Sequence, residues 1–271
     1  DVYTAGVSLS APATRAVGMN LESFSLWVFN QKGGKQTEDN LVYMDNGRWT
    51  KEKPYALASN KMSAFGISPR SSAVMNPSVK FRTQTFEYRV PQTEQVMLQI
   101  GSKLNFTQDD LNRESNGALY VKFVYGLATL KLSALNQLTF NVTGDENGAE
   151  LPVTIYIDSI AIHNIKNHGT FTFDTKKDYT GKWTLDANEF QSYGQKLKKR
   201  VKIDRVLPTD LNDSLFVVMP QTPRGWSPKG TDAGDPATDA ISVADENGRT
   251  YIELKCAMTV DKGAGDVYVW G

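Results

Sequence analysis

The sequence has little of the chemistry on which catalytic and metal sites depend. Its 271 residues include one cysteine, Cys256, so no disulfide can form within the chain. Only two histidines occur, His163 and His168, and neither a cysteine nor an acidic cluster lies between them. Because tetrahedral metal sites need three or four ligands, both are expected to be strand-end or loop histidines, and no metal site is predicted.

Long apolar runs and an excess of one charge are also missing. No stretch of about 18 apolar residues exists, so no membrane-spanning segment is predicted. Lysine plus arginine and aspartate plus glutamate number 30 each, whereas nucleic-acid binders usually carry a basic excess or a basic face. The basic run KLKKR at residues 196–200 is typical of a solvated face. No nucleic-acid partner is therefore expected.

Familiar catalytic and cofactor motifs are absent as well. There is no G-x-S-x-G nucleophile elbow, and the Gly-Ala-Gly at 263–265 lacks the further glycine and the lysine of a phosphate loop. The two DENG tetrapeptides, at 145–148 and 245–248, do not continue as calcium loops and suit hairpin turns. The sequence predicts no enzyme, no catalytic residue and no cofactor. Two facing carboxylates, as in a β-sandwich hydrolase, are a third interpretation that motifs alone do not exclude.

Period-two alternation of apolar and polar residues dominates what is present. The clearest run is YIELKCAM at residues 251–258, in which every second residue from Ile252 shares one face. Cys256 is accordingly interpreted as a small buried apolar residue rather than a reactive thiol. Further strands are predicted at 21–29, at 86–90, at 96–100, at 120–132 with a break at Gly126, at 153–162 with a bulge near Asp158, and at 215–219.

Turn signals separate these runs, and helical periodicity is scarce. Asn46-Gly47 and Gly33-Gly34 suit the positive φ angles of tight hairpins. Helices are predicted only at 107–112 and, by a pattern that contains a glycine, at 188–199. Many short strands with frequent turns are typical of an all-β sandwich.

A polar Ser-Asn-Gly patch at 115–117 predicts a domain boundary. It divides the chain into an N-terminal β-sandwich domain, 1–117, and a C-terminal β-sandwich domain, 118–271, both of ordinary size. In the second half, residues 223–239 (PRGWSPKGTDAGDPATD) predict a long surface loop. Trp226 lies in that loop, where an exposed aromatic side chain suggests ligand contact. The other four tryptophans are expected at core and edge packing positions.

Segments along most of the chain resemble, in order, the fimbrillin-like family of Bacteroidales, which comprises type V pilins and related surface lipoproteins. These segments are PATRA at 12–16, LESFSLWVF at 21–29, GRWT at 47–50, MSAFGISP at 62–69, VKFVYGLATLKL at 121–132, IDSIAIHNIKNHGTF at 157–171, VMPQT at 218–222 and YIELKCAM at 251–258. Two departures stand out. Tyr125 takes the place of the family's usual histidine, and members usually continue beyond the segment that ends here at VYVWG, so no donor-strand residue is named.

The resemblance implies two tandem transthyretin-like β-sandwich domains with few short helices. It further implies a lipoprotein that is exported to the cell surface and held at the outer membrane by a lipid anchor upstream of Asp1. The implied role is that of a fimbrial subunit or a fimbria-associated adhesin. Its expected partners are other fimbrial subunits, joined by strand exchange, and host or bacterial surface ligands.

Cleavage by an arginine-specific protease opens the acceptor groove in family members that polymerise. Arg15 is the first basic residue of this chain and Lys32 is the next, so the Arg15–Ala16 bond is the predicted processing site. An uncut Arg15, as in members that stay simple lipoproteins, is the alternative. The runner-up function is that of a surface glycan-binding β-sandwich lipoprotein with Trp226 as a ligand contact.

Overall fold

β-strands make up most of the structure, a computed structural model that describes residues 21–30, 32–80, 83–93, 95–115, 118–130, 132–141, 150–178, 180–211, 216–221, 250–261 and 267–270. One helix, α1 (Gln108–Ser115), occurs among these residues. The strands are β1 Ser23–Asn30, β2 Lys35–Asp45, β3 Arg48–Lys51, β4 Met62–Ser68, β5 Val74–Lys80, β6 Thr83–Arg89, β7 Gln99–Phe106, β8 Lys122–Tyr125, β9 Ala128–Leu130, β10 Ser133–Ala134, β11 Thr139–Asn141, β12 Glu150–Lys166, β13 His168–Phe173, β14 Gly181–Leu185, β15 Phe190–Lys202, β16 Thr209–Asp210, β17 Phe216–Val218, β18 Tyr251–Asp261 and β19 Val267–Trp270. The predicted all-β class is therefore confirmed.

The described strands form three larger antiparallel sheets and two small ladders. The six-stranded sheet has the order β3-β2-β1-β4-β7-β8, and the four-stranded sheet has the order β14-β13-β6-β5. The five-stranded sheet runs β11-β12-β18-β19, with β15 also paired to β12. Two-stranded ladders join β9 to β17 and β10 to β16.

The main core lies between the six-stranded and four-stranded sheets and extends to the five-stranded sheet. Phe65 of β4 faces Phe173 of β13 with ring centroids 5.1 Å apart. Isoleucines of β12, including Ile160 and Ile162, and Tyr193 of β15 belong to the same buried cluster. Close-packed aromatic and β-branched side chains between sheets are what a β-sandwich requires, and their burial is the main force that holds the sheets together.

Two breaks in the alternation are confirmed by the strand pairing. The register of β12 shifts between Ile157 and Ser159 against both of its long neighbours, so Asp158 is the bulged residue. The predicted break at Gly126 divides β8, which joins the six-stranded sheet, from β9, which pairs with β17. Because of the bulge, Ile157 and Ile160 belong to the same buried cluster although an odd number of positions separates them.

The predicted tight turns and the predicted short helix are also present. Asn46 and Gly47, with φ angles of 48° and 78°, connect β2 to β3. Gly33, with φ of 80°, lies in the turn between β1 and β2. The helix predicted at 107–112 corresponds to α1. Both DENG tetrapeptides lie outside the described residues.

The predicted helix at 188–199 is wrong, because residues 190–199 belong to β15. Tyr193 and Leu197, both buried, are four residues apart, a spacing that resembles one face of a helix. The spacing of four is also two strand periods, so Tyr193, Gln195 and Leu197 share one face of β15. Gln195, which opposes Ile160, is polar and conceals the alternation in the sequence.

The division into residues 1–117 and 118–271 stays a prediction. Strands from both sides of residue 117 are hydrogen-bonded in two sheets, since β7 pairs with β8 and β6 pairs with β13. The main core also draws side chains from both sides. These pairings place β8 and β13 on sheets begun by the first half of the chain.

Candidate functional site: an apolar groove on the six-stranded sheet

The six-stranded sheet is apolar on both faces. Along β1, Trp27 and Phe29 point into the main core, whereas Phe24, Leu26 and Val28 belong to a second buried cluster on the opposite face. This division is the one predicted from the alternation in residues 21–29. The second face therefore needs a cover of its own, and α1 with the segments at 55–58 and 118–123 supplies part of it.

An open groove of about 910 Å³ remains on this second face. Phe24, Leu26 and Val42 line it together with Phe123 of β8. The other lining residues are Leu21, Trp49, Thr50, Lys51, Tyr55, Leu57, Gln108, Ala118, Leu119, Tyr120 and Val121. Most of these side chains are apolar, so the groove offers an apolar lining to a ligand or to an added strand.

A glycine in the middle of the sheet creates room for an aromatic ring of the groove. A Cβ atom at Gly66 of β4 would lie 2.5 Å from Cζ of Phe123 and 3.5 Å from Phe24. The Phe123 ring can therefore lie close against the backbone of β4, where it packs against Phe24 at a centroid distance of 4.9 Å. The groove depends on this small residue because a side chain at position 66 would displace the ring.

Exposed aromatic side chains stand along the rim. Trp49 of β3 is 46% exposed and contacts Phe24 edge-on at 5.4 Å, and Tyr120 is 72% exposed. Lys51 Nζ lies 4.7 Å above the ring of Tyr55, a cation–π contact. Burial raises the pKa of the Tyr55 hydroxyl, so this group stays protonated and available as a hydrogen-bond donor at neutral pH.

The outer strands of the six-stranded sheet both contribute to the groove. β3 pairs with β2 and β8 pairs with β7, and among the described residues each is the last strand on its side. Each is four residues long. Short outer strands offer few unpaired backbone groups, which limits uncontrolled pairing but leaves room for a specific added strand.

The residues predicted for processing and ligand contact, Arg15, Ala16 and Trp226, lie outside the described part of the chain. Cys256 is half-buried and packs against the main core, as an apolar residue would, and no disulfide involves it. Leu254, predicted for the same face of β18, is 42% exposed. The face of β18 that carries Leu254 and Cys256 is therefore only partly covered.

Sequence patterns gave only a partial indication of the groove. Trp49 is predicted at a core or edge packing position, and it does lie on an outer strand, but with nearly half of its surface exposed. Tyr120 was predicted to begin a strand, whereas β8 begins at Lys122. To predict an exposed groove, one must know which strands lie at the edges of the sheet. The alternation of apolar and polar residues does not give the strand order.

Comparisons with known proteins add little to this description. No protein-family model and no curated protein sequence matches the chain. Among solved structures, the chain is similar to the crystal structure of a "putative cell adhesion protein" from Parabacteroides distasonis, with 11% identity and a TM-score of 0.46. The match covers 96% of this chain and 76% of that one. In the described residues, no helix is both long and apolar enough to cross a membrane.

Proposed function

We propose that the protein is a cell-surface adhesion protein that acts as a fimbrial subunit or fimbria-associated adhesin and assembles by β-strand donation. The observation that carries the proposal is the open apolar groove on the six-stranded sheet, which Phe24, Leu26 and Phe123 line and whose rim exposes Trp49 and Tyr120. A strand with apolar side chains at alternate positions matches such a surface, because one of its faces can fill the groove. The resemblance to fimbrillin-like sequences gives the same role.

Processing at Arg15–Ala16 belongs to this proposal. Leu21 lines the groove, and residues 1–20 lead directly to it in the chain. Val7 and Leu9 alternate with polar neighbours in this N-terminal segment. Cleavage after Arg15 would remove that alternating run, and a strand from another subunit would then fill the groove. The lipid anchor and the outer-membrane location are part of the same proposal.

Protease treatment followed by sizing tests the proposal. The protein is incubated with an arginine-specific protease, and the products are separated on a denaturing gel without boiling. A ladder of kinetically stable oligomers with a new N-terminus at Ala16 is expected, because completed sheets resist detergent. Clean cleavage at this bond with only monomer would contradict assembly by strand donation.

A groove variant separates strand donation from unspecific association. Trp49→Glu places a charge beside Phe24 and should reduce the ladder strongly, since the incoming strand would bury an unpaired carboxylate. Leu207→Glu is the matched control, because Leu207 is also an exposed apolar residue, at 68%, but does not line the groove. An equal loss in both variants would count against the groove as acceptor.

Glycan binding is the second candidate, and the rim of the groove is the observation that favours it. Trp49 and Tyr120 expose aromatic rings, and Thr50, Lys51 and Gln108 place polar groups beside them. Sugars bind to such combinations of a ring face with hydrogen-bonding neighbours. Binding of soluble oligosaccharides by the unprocessed protein, lost in Trp49→Ala and kept in Leu207→Ala, would support this function over strand donation.

A further inference from the structure

His168 lies where β13, β6 and the loop between β14 and β15 meet, and the acidic residues around it are distant in sequence. It is the first residue of β13 and pairs with Arg89 of β6. The loop between β14 and β15 also contacts His168. The backbone N–H of Asp186, in this loop, donates to the carbonyl oxygen of His168 at 3.0 Å. Glu189, from the same loop, lies beside the His168 ring.

Both ring nitrogens of His168 are buried and have no hydrogen-bond partner. The side chain is 15% exposed. A buried imidazole without partners is costly, since it loses its water and gains nothing in exchange. Three carboxylate oxygens instead face the ring just beyond hydrogen-bond distance. Glu189 Oε1 is 3.6 Å and Asp186 Oδ2 is 3.8 Å from Nδ1, and Glu87 Oε2 is 3.8 Å from Nε2.

In each of the two carboxylates near Nδ1, one oxygen has a partner elsewhere in the protein and the other oxygen faces the imidazole ring. Asp186 Oδ1 accepts the backbone N–H of Asn188 at 2.9 Å, which leaves Oδ2 toward the ring. Glu189 Oε2 pairs with Arg89, which leaves Oε1 toward the ring. The hydrogen bond from Arg89 lowers the pKa of the Glu189 carboxyl, so this group is an anion at neutral pH. Such outer contacts are what orients a metal ligand.

We propose that Nδ1 of His168, Oδ2 of Asp186 and Oε1 of Glu189 bind a divalent transition-metal ion, with Zn²⁺ as the best fit. The three donor atoms lie within 4.8 Å of one another. In tetrahedral zinc with bonds near 2.1 Å, the donor atoms are roughly 3.4 Å apart. The distances from Nδ1 to Glu189 Oε1 and to Asp186 Oδ2 would each have to shorten by only a few tenths of an ångström. The fourth position is left to water.

Charge and donor type select the ion. Three carboxylates and one guanidinium around the imidazole give two net negative charges, which a divalent cation would balance. An imidazole ligand favours zinc over calcium and magnesium, which prefer oxygen ligands alone. Nε2–H of His168 would then donate to Glu87, which Asn76 Nδ2 holds at 3.1 Å. A histidine between a metal and a carboxylate is a common arrangement of zinc sites.

The ion would have a structural task. It would fasten the β14–β15 loop to β13 and β6 in a chain that has no disulfide. His163, the other histidine, provides an internal contrast. Its Nδ1 lies 3.0 Å from Ser192 Oγ and its Nε2 lies 2.9 Å from Glu253, so both ring nitrogens already have partners.

Zinc titration of the tag-free protein tests the site, with calorimetry for affinity and imidazole NMR for location. Two histidines give two sets of ring resonances, and Zn²⁺ should shift those of His168 while those of His163 stay in place. Zn²⁺ should also raise the thermal midpoint, whereas Ca²⁺ and Mg²⁺ should not. His168→Gln should abolish binding, and His163→Gln is the matched control that should retain it.

Milder variants guard against loss of the fold. Asp186→Asn and Glu189→Gln keep the shape of each side chain and should each weaken zinc binding by at least about tenfold, and Glu87→Gln should weaken it by roughly 10- to 100-fold. Unchanged far-ultraviolet circular dichroism shows that the fold is kept. Zinc binding that survives in His168→Gln, a shift confined to His163, or no heat of binding for the unsubstituted protein would each overturn the proposal.

Discussion

The indole N–H of Trp183 donates to the carbonyl oxygen of Gly126 at 2.7 Å, and this bond joins β14 to the point where β8 ends. At the same residue the backbone N–H of Gly126 donates to Leu98 at 2.7 Å. The chain leaves the six-stranded sheet here, so both backbone groups would otherwise lose their partners. A break visible in the sequence is thus stabilised by a tryptophan 57 residues away.

Trp183→Phe should destabilise the protein by about 1–3 kcal/mol, because the Gly126 carbonyl loses its donor while the ring remains. Trp183 also packs on Phe171 and Phe86, and phenylalanine keeps most of that contact. Urea unfolding followed by circular dichroism measures the difference. Trp49→Phe is the matched control and should change the unfolding free energy much less, since Trp49 is half exposed. Equal losses in both variants would refute the role of the hydrogen bond.

Gly66→Ala should destabilise the protein by about 1–3 kcal/mol, because the new methyl group meets Phe123 at 2.5 Å in a packed sheet. The displaced ring should also alter the groove, so the variant should assemble poorly after protease treatment. Gly194→Ala is the control. Its added Cβ would find its nearest neighbour at 3.7 Å, and this variant should be neutral or more stable by up to about 1 kcal/mol. Differential scanning calorimetry compares the two.

The N-terminus of α1 predicts a stability that depends on acid pH. Thr107 Oγ1 accepts the N–H of Asp110 at 3.1 Å, and Asp110 Oδ2 accepts the backbone N–H and the hydroxyl of Thr107 at 2.9 and 2.7 Å. This reciprocal pair is a capping box. The bonds from Thr107 lower the pKa of Asp110. Its contribution is therefore present above the unfolded pKa of about 3.9 and is lost as the pH falls through the lower folded value.

Thr107→Ala should lower the unfolding free energy at pH 7 by about 0.5–2 kcal/mol, because the capping hydroxyl is lost. It should also flatten the decline in stability below pH 4, since Asp110 loses its main cause of stabilisation. Thr107→Ser keeps the hydroxyl and serves as control. Urea midpoints measured from pH 7 to pH 2.5 test both statements, and an unchanged acid slope in Thr107→Ala would contradict the second.

The elements predicted from sequence are those that local chemistry determines. Alternation located β1 and the Asp158 bulge, and Asn46-Gly47 located a hairpin, because side-chain period and backbone φ are local properties. The false helix in β15 came from polar Gln195, which lies between the buried Tyr193 and Leu197 on one face of the strand and interrupts the apolar alternation. The groove and the His168 cluster depend on strands distant in sequence, β1 with β8 and β6 with β13, so no local pattern indicated them.

Alkaline pH should destabilise the protein through its buried tyrosines. Burial raises the pKa of Tyr88 to about 12, and burial likewise raises the pKa of Tyr193, whose hydroxyl donates to the Val90 carbonyl at 3.1 Å. The folded state therefore holds these protons more tightly than the unfolded state, in which tyrosine has a pKa near 10. Their stabilising contribution is complete below about pH 10 and is lost as the pH rises toward the folded values.

Tyr88→Phe removes one of these buried phenols and should reduce the loss of stability between pH 10 and pH 12. Tyr88 is 2% exposed, and phenylalanine fills the same space without the ionisable group. Denaturant midpoints across this range provide the measurement, with Tyr120→Phe as control for loss of a surface phenol. Part of the rise in tyrosinate absorbance, the part due to Tyr88 and Tyr193, should occur only when the protein unfolds. Complete ionisation with a single midpoint near pH 10 while the fold stays intact would show that no tyrosine is protected by burial.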